Sequence, residues 1–152
     1  MVNNKDYLAK ILPHKESMIL IDDVLDYSIE GRWLKSCVTI TVDSLFYDKD
    51  LGGIDSVIGI EYMAQTIGCF AFYSKGLDEP KIGFLLGTRL YNSAIEKFEL
   101  GRTYTILIKE VFSAEIYSFD CLIYNDKEEE VSSATINVYQ SSDENIEGFI
   151  NG

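Results

Sequence analysis

The stretch GGIDSVIGIEYMAQTIGCFAFY, residues 52–73, decides the fold. From about Ser56 to Ser74 it runs apolar or small at almost every position, so it reads as one long helix, with Asp55 or Ser56 able to cap its start. A helix this apolar all round has to be buried. Yet it carries Glu61, and Gln65 one turn later on the same face. Burying an unpaired carboxylate is costly, so Glu61 must be paired, exposed or functional.

Outward from this helix the chain reads as strands. Before it, DYLAKIL (6–12) is a short amphipathic helix, spanning about 5–12, that Pro13 stops. SMILIDDVLDYS (17–28) and WLKSCVTITV (33–42) read as two strands joined by the turn EGR, and DSLFYDKDLGGID (43–55) as a loop. After the helix, KGLDEP (75–80) ends it and KIGFLLGTRLYN (81–92) is a strand. TYTILIKEVFS (103–113) alternates clearly, with Tyr104, Ile106, Ile108 and Glu110 on one side. EIYSFDCLIYN and VSSATINVYQ follow across the charged turn DKEEE, which predicts an antiparallel meander. One helix packed on one antiparallel sheet, α+β, is the architecture this pattern supports. The 152 residues fit one domain, 1–152, with a frayed acidic tail at about 142–152.

The net charge of −12 argues against a nucleic-acid or anionic-membrane partner. It also means that an acidic protein partner would need a local basic patch. Arg89, Lys97, Arg102 and Lys109 are the candidates, each also readable as a solvated surface charge. Cys37, Cys69 and Cys121 are far apart in apolar surroundings with no paired-cysteine motif, so buried thiols in a reducing cytoplasm are expected and a metal site is not. No apolar run reaches the ~20 residues of a membrane span, and the N-terminus has no apolar leader.

Four motifs, in order, carry a family resemblance. LPHKESMILIDDVLDY (12–27), GIEYMAQTIG (59–68), IGFLLGTRLYNSAIEKFELGRTYTI (82–106) and ATINVYQ (134–140) resemble the 3-hydroxyacyl-(acyl carrier protein) dehydratases, closest to the branch found in aryl-polyene and related lipid clusters. The resemblance implies a hot-dog fold, an antiparallel sheet wrapped around the central helix. It implies dimers whose sheets join edge to edge, with active sites at the interface. It implies elimination of water from a 3-hydroxyacyl thioester in fatty-acid or polyene lipid biosynthesis, with no cofactor beyond the phosphopantetheine of an acyl carrier protein. A homodimer is expected, and a heterodimer with another dehydratase subunit is open.

Dehydration needs a base for the proton beside the thioester carbonyl, help for the leaving hydroxyl, and donors for the carbonyl oxygen. Glu61 matches the family's helix carboxylate, backbone N–H groups near Ser56 and Val57 match its thioester-oxygen donors, and Gln65 would orient the carboxylate or bind water in the tunnel between protomers. The family's base, a histidine in the loop before the helix, is missing: Tyr47 and Asp48 stand near its place, and the chain's one histidine is His14. Three readings stay open. His14 reaches the site as base; Asp48 or Tyr47 substitutes, an aspartate needing burial to raise its pKa; or the dyad is incomplete and the chain is an acyl-binding or heterodimer-partner subunit. A hot-dog thioesterase is a further alternative. Phe84, Leu85, Leu86 and Gly87 would line the acyl tunnel or simply form a core strand, and Phe70, Phe72 and Tyr73 would wall its depth or pack the core.

Overall fold

The computed structural model describes residues 4–12, 16–74, 84–114 and 116–140, with the backbone alone at 84–86, 88, 89, 139 and 140. His14, the segment expected to end the central helix and the tail at about 142–152 lie outside the described residues.

The short helix α1 (Lys5–Ile11) and a 3-10 turn (Glu16–Met18) precede strands β1 (Asp23–Ser28) and β2 (Trp33–Thr39). The short strand β3 (Gly53–Asp55) leads through a 3-10 turn (Ser56–Ile58) into the central helix α2 (Gly59–Ser74). Then come β4 (Phe84–Ser93), β5 (Lys97–Glu99), β6 (Thr103–Ser113), β7 (Tyr117–Tyr124) and β8 (Glu130–Gln140). Among the described residues, six strands form one antiparallel sheet in the order β1-β2-β6-β7-β8-β4. Helix α2 packs on β1, β2, β6, β7 and β8, so the sheet wraps it. This is the α+β hot-dog arrangement.

The alternation in β6 sends Tyr104, Ile106 and Ile108 inward, and β7 and β8 do the same with Phe119, Cys121, Ile123, Ile136 and Val138. They meet Tyr62, Met63, Ile67 and Phe70 of α2 in one apolar cluster. Each such side chain contributes about 1.5–3 kcal/mol on burial, which is why an apolar helix settles here rather than at the surface.

Two expectations need correction. The strand expected over 17–28 is a strand only from Asp23. Ile19, Leu20 and Ile21 are buried, but as an irregular segment in which the Ile19 and Ile21 carbonyls and the Leu20 and Ile21 N–H groups are bound by side chains rather than by a sheet neighbour. The loop expected over 43–55 ends in a strand, β3, paired with β5 through Gly53↔Glu99, Ile54↔Phe98 and Asp55↔Lys97. Gly53 is needed there, because a Cβ would collide with the Phe98 carbonyl. This second, two-stranded sheet clips the start of the helix to the chain after β4.

Candidate active site

The site grows from the start of α2. Asp55 caps the 3-10 turn (Ser56–Ile58) that leads into α2, its Oδ1 accepting the Val57 N–H at 3.0 Å. Ser56 N–H donates to the Glu96 carbonyl at 3.0 Å. The two backbone donors expected for a thioester oxygen, Ser56 and Val57, are therefore both occupied. Val57 itself is 55% exposed.

Glu61 is exposed, and among the described residues it has no hydrogen-bond or ion-pair partner. The outward stripe around it is Val57, Ile60 and Ala64, apolar side chains left exposed or half-buried on a helix whose other faces are packed. A carboxylate set in such a stripe is presented to whatever covers it.

Gln65 behaves differently from expectation. It is 4% exposed, and its amide spans the irregular segment before β1: Oε1 accepts Leu20 N–H at 2.8 Å and Nε2 donates to the Met18 carbonyl at 2.9 Å. The four-residue spacing puts both side chains on adjoining parts of the helix surface, but the segment from Met18 to Ile21 holds Gln65 and leaves Glu61 exposed. Gln65 is corrected from the tunnel to the core.

The substitute bases are also placed. Asp48 is exposed, and its Oδ1 accepts the N–H groups of Asp50 at 2.9 Å and Leu51 at 3.3 Å, so it shapes the 48–53 turn. The burial its substitution as a base calls for is absent. Tyr47 is half-buried against the core cluster. Phe84, Leu85, Leu86 and Gly87 lie on β4, one of the sheet's two edge strands, paired with Gln140, Tyr139, Val138 and Asn137. A Cβ built at Gly87 meets nothing within 4 Å among the described residues, so no contact among them demands glycine there. Phe70 is buried in the core, and Tyr73 stacks on Tyr27 at the sheet edge with ring centroids 4.4 Å apart.

Of the basic candidates, Arg102 is committed to Asp126 at 2.6 Å and to Glu99 at 3.5 Å, and Lys97 to the Leu51 carbonyl at 2.8 Å. Lys109 is exposed on β6. No helix among the described residues is long and apolar enough to cross a membrane. Sequence reasoning missed Tyr91, whose hydroxyl donates to the Ser56 carbonyl. The signal that could have found it is Gly59, a glycine opening a helix where a side chain would be expected.

Comparison with known proteins agrees with the fold. The model of the ApeP-like family, described as ApeP dehydratase, matches residues 7–151. The dehydratase FabZ of Klebsiella pneumoniae, a 3-hydroxyacyl-[acyl-carrier-protein] dehydratase, is 36% identical over 76 residues, 48% of this chain and 50% of FabZ. The chain thus spans about half the length of the curated relatives it matches. Among solved structures, the dehydratase heterocomplex ApeI:P from Xenorhabdus doucetiae superposes with a TM-score of 0.84 at 24% identity, covering 95% of this chain and 97% of that one. A hypothetical thioesterase with coenzyme A from Streptococcus pneumoniae superposes with a TM-score of 0.58 at 13% identity, covering 81% and 89%. At those identities the structural likeness is one of fold. The family match spans nearly the whole sequence, and the chain belongs to the ApeP-like dehydratase family.

Proposed function

We propose that this chain is a dehydratase subunit acting on 3-hydroxyacyl thioesters carried by acyl carrier protein, and that it supplies Glu61 to a site whose base comes from a second dehydratase subunit. The base would take the proton from the carbon beside the thioester carbonyl. That proton would pass to the 3-hydroxyl, held by Glu61, which departs as water and leaves the trans-2-enoyl thioester. No cofactor enters beyond the carrier's phosphopantetheine. The observation that carries this reading is Glu61 itself: an exposed carboxylate with no partner among the described residues, set in an apolar stripe of an otherwise buried helix. FabZ's action on carrier-bound substrates and the two-subunit assembly of ApeI:P support it by likeness.

A second reading has its own observation. With Ser56 and Val57 N–H both occupied, the chain would be an acyl-binding subunit that does no chemistry.

The test is a dehydration–hydration assay on 3-hydroxyacyl-carrier-protein, with the chain alone and mixed with a dehydratase subunit that has the loop histidine. Activity is expected from the mixture and not from the chain alone. Glu61→Gln in the mixture is expected to lower the rate about 10²-fold or more. A mixture indifferent to Glu61→Gln supports the second reading. Activity of the chain alone that His14→Ala removes would return the base to this chain, and release of free carrier thiol would make it a thioesterase.

A further inference from the structure

The peptide unit joining Ser56 to Val57 is gripped at its carbonyl. Tyr91 Oη donates to the Ser56 carbonyl oxygen, which also receives the Gly59 N–H across the 3-10 turn. A peptide unit is planar and trans, so its C=O and N–H point in opposite directions, and fixing the Ser56 carbonyl fixes the direction of the Val57 N–H. A hydrogen bond received by the carbonyl also polarises the unit and strengthens its N–H as a donor.

The tyrosine hydroxyl sits in a built place. A bulge between Thr88 and Leu90 shifts the register of β4, and beyond it Tyr91 is half-buried while Leu90 and Asn92 are exposed. Ser132, 2% exposed, lies 3.4 Å from the hydroxyl. Ser93 Oγ lies 3.1 Å from Ser132 Oγ and donates to the Ile95 carbonyl at 2.8 Å. Gly59 leaves the room: a Cβ there would collide with the Tyr91 hydroxyl. The phenol's ordinary pKa already keeps Tyr91 a proton donor at neutral pH, and burial pushes it further up.

The two amides of the turn differ in what holds them. Ser56 N–H is bound to backbone, the Glu96 carbonyl, and the chain after β4 would have to move to free it. Val57 N–H is bound to the exposed side chain of Asp55, which a ligand oxygen can displace by a rotation about its own bonds.

We propose that Tyr91 is the positioning residue of the thioester site: it aims and polarises the Ser56–Val57 peptide so that Val57 N–H receives the thioester oxygen, with Asp55 as its resting occupant. The proposal rests on the thioester reading above and adds how the oxygen is held.

The experiment uses the full chain, labelled with 15N, together with the second subunit where activity is read. The probe is the amide analogue of a 3-hydroxybutyryl pantetheine, which keeps the carbonyl oxygen. In the wild type the probe is expected to shift the Val57 amide resonance. Tyr91→Phe is expected to bind it about tenfold more weakly, an effect on the scale of one hydrogen bond. In the two-subunit assay Tyr91→Phe should lower kcat per folded molecule, whereas a merely structural tyrosine would lower only the melting temperature. Without ligand, Tyr91→Phe should move the Val57 amide proton upfield. Asp55→Ala, which removes the occupant, should tighten probe binding even as it lowers the melting temperature. Equal binding by wild type and Tyr91→Phe overturns the proposal, as does a probe that shifts other amides and leaves Val57 unmoved. A wild type that binds no probe overturns the thioester reading and the proposal's ligand half; the ligand-free Val57 shift then still decides whether Tyr91 polarises the peptide.

Discussion

Gln65 Oε1 accepts the backbone N–H of Leu20 at 2.8 Å, and the same side chain reaches Ile21 N–H at 3.4 Å and the Met18 carbonyl at 2.9 Å. Gln65 thus joins Lys5, which donates to the Ile19 and Ile21 carbonyls, in doing for residues 18–21 much of what a neighbouring strand does elsewhere. Gln65→Leu removes these partners and leaves buried backbone groups unsatisfied, at about 1–3 kcal/mol for each group left fully unpaired. Urea unfolding is expected to show this loss, with unchanged activity per folded molecule. A Gln65→Leu variant as stable as the wild type but inactive would move Gln65 back to the site.

Glu61 predicts the reverse pattern. It is exposed in the chain, so Glu61→Gln should change the stability of the chain alone by no more than about 0.5 kcal/mol. Its place in the first turn of α2 adds only a few tenths of a kcal/mol from the helix dipole, which Gln forfeits. Thermal melts of the two proteins should nearly superimpose while the two-subunit assay separates them. A melting temperature lowered by several degrees would mean that Glu61 has a structural partner.

This contrast marks what the sequence could and could not reveal. The apolar length of 56–74 and the alternation in 103–113 are local patterns, and both appear as the helix and strand they predict. The opposite fates of Glu61 and Gln65 are not local. They depend on a segment more than forty residues earlier folding over one side chain and missing the other. The short sheet of β3 and β5 is likewise illegible, since three residues around a glycine carry no period, and the pairing is set by the approach of a distant backbone. Tyr91 looked like one more strand aromatic, and only the bulge in β4 and the gap at Gly59 give its hydroxyl a task.

The three thiols predict a sign of pH dependence. Burial, with the nearby Asp22 and Asp23 charges, pushes Cys37 up from the ordinary 9.0 to about 11. Burial pushes Cys69 up to about 12, and Cys121 upward as well. In each case the folded value lies above the unfolded one, so the folded state holds its proton longer. Their contribution is complete below about pH 9 and is lost as the pH rises through the folded values. The urea midpoint should fall between pH 8 and pH 10.5, less steeply in Cys69→Ala. At pH 8 the native chain should resist a thiol reagent that labels all three cysteines once it is unfolded. Rapid labelling of one thiol in the native chain would contradict the burial.

Gly59 predicts a substitution whose effect runs against helix propensity. Gly→Ala inside a helix normally stabilises by about 0.8–1 kcal/mol. Here the added Cβ would collide with the Tyr91 hydroxyl and stand 3.1 Å from Phe98 Cζ and 3.2 Å from Ile123 Cδ1. Overpacking of this kind costs about 1–3 kcal/mol, so Gly59→Ala should destabilise. In a Tyr91→Phe background the worst contact is gone, because phenylalanine lacks the oxygen. The double variant should therefore lose less than the sum of the two single losses. A double-mutant cycle by urea unfolding measures the difference. Additive losses would mean that the hydroxyl does not occupy the space Gly59 leaves, and the grip on the Ser56 carbonyl would lose its structural basis.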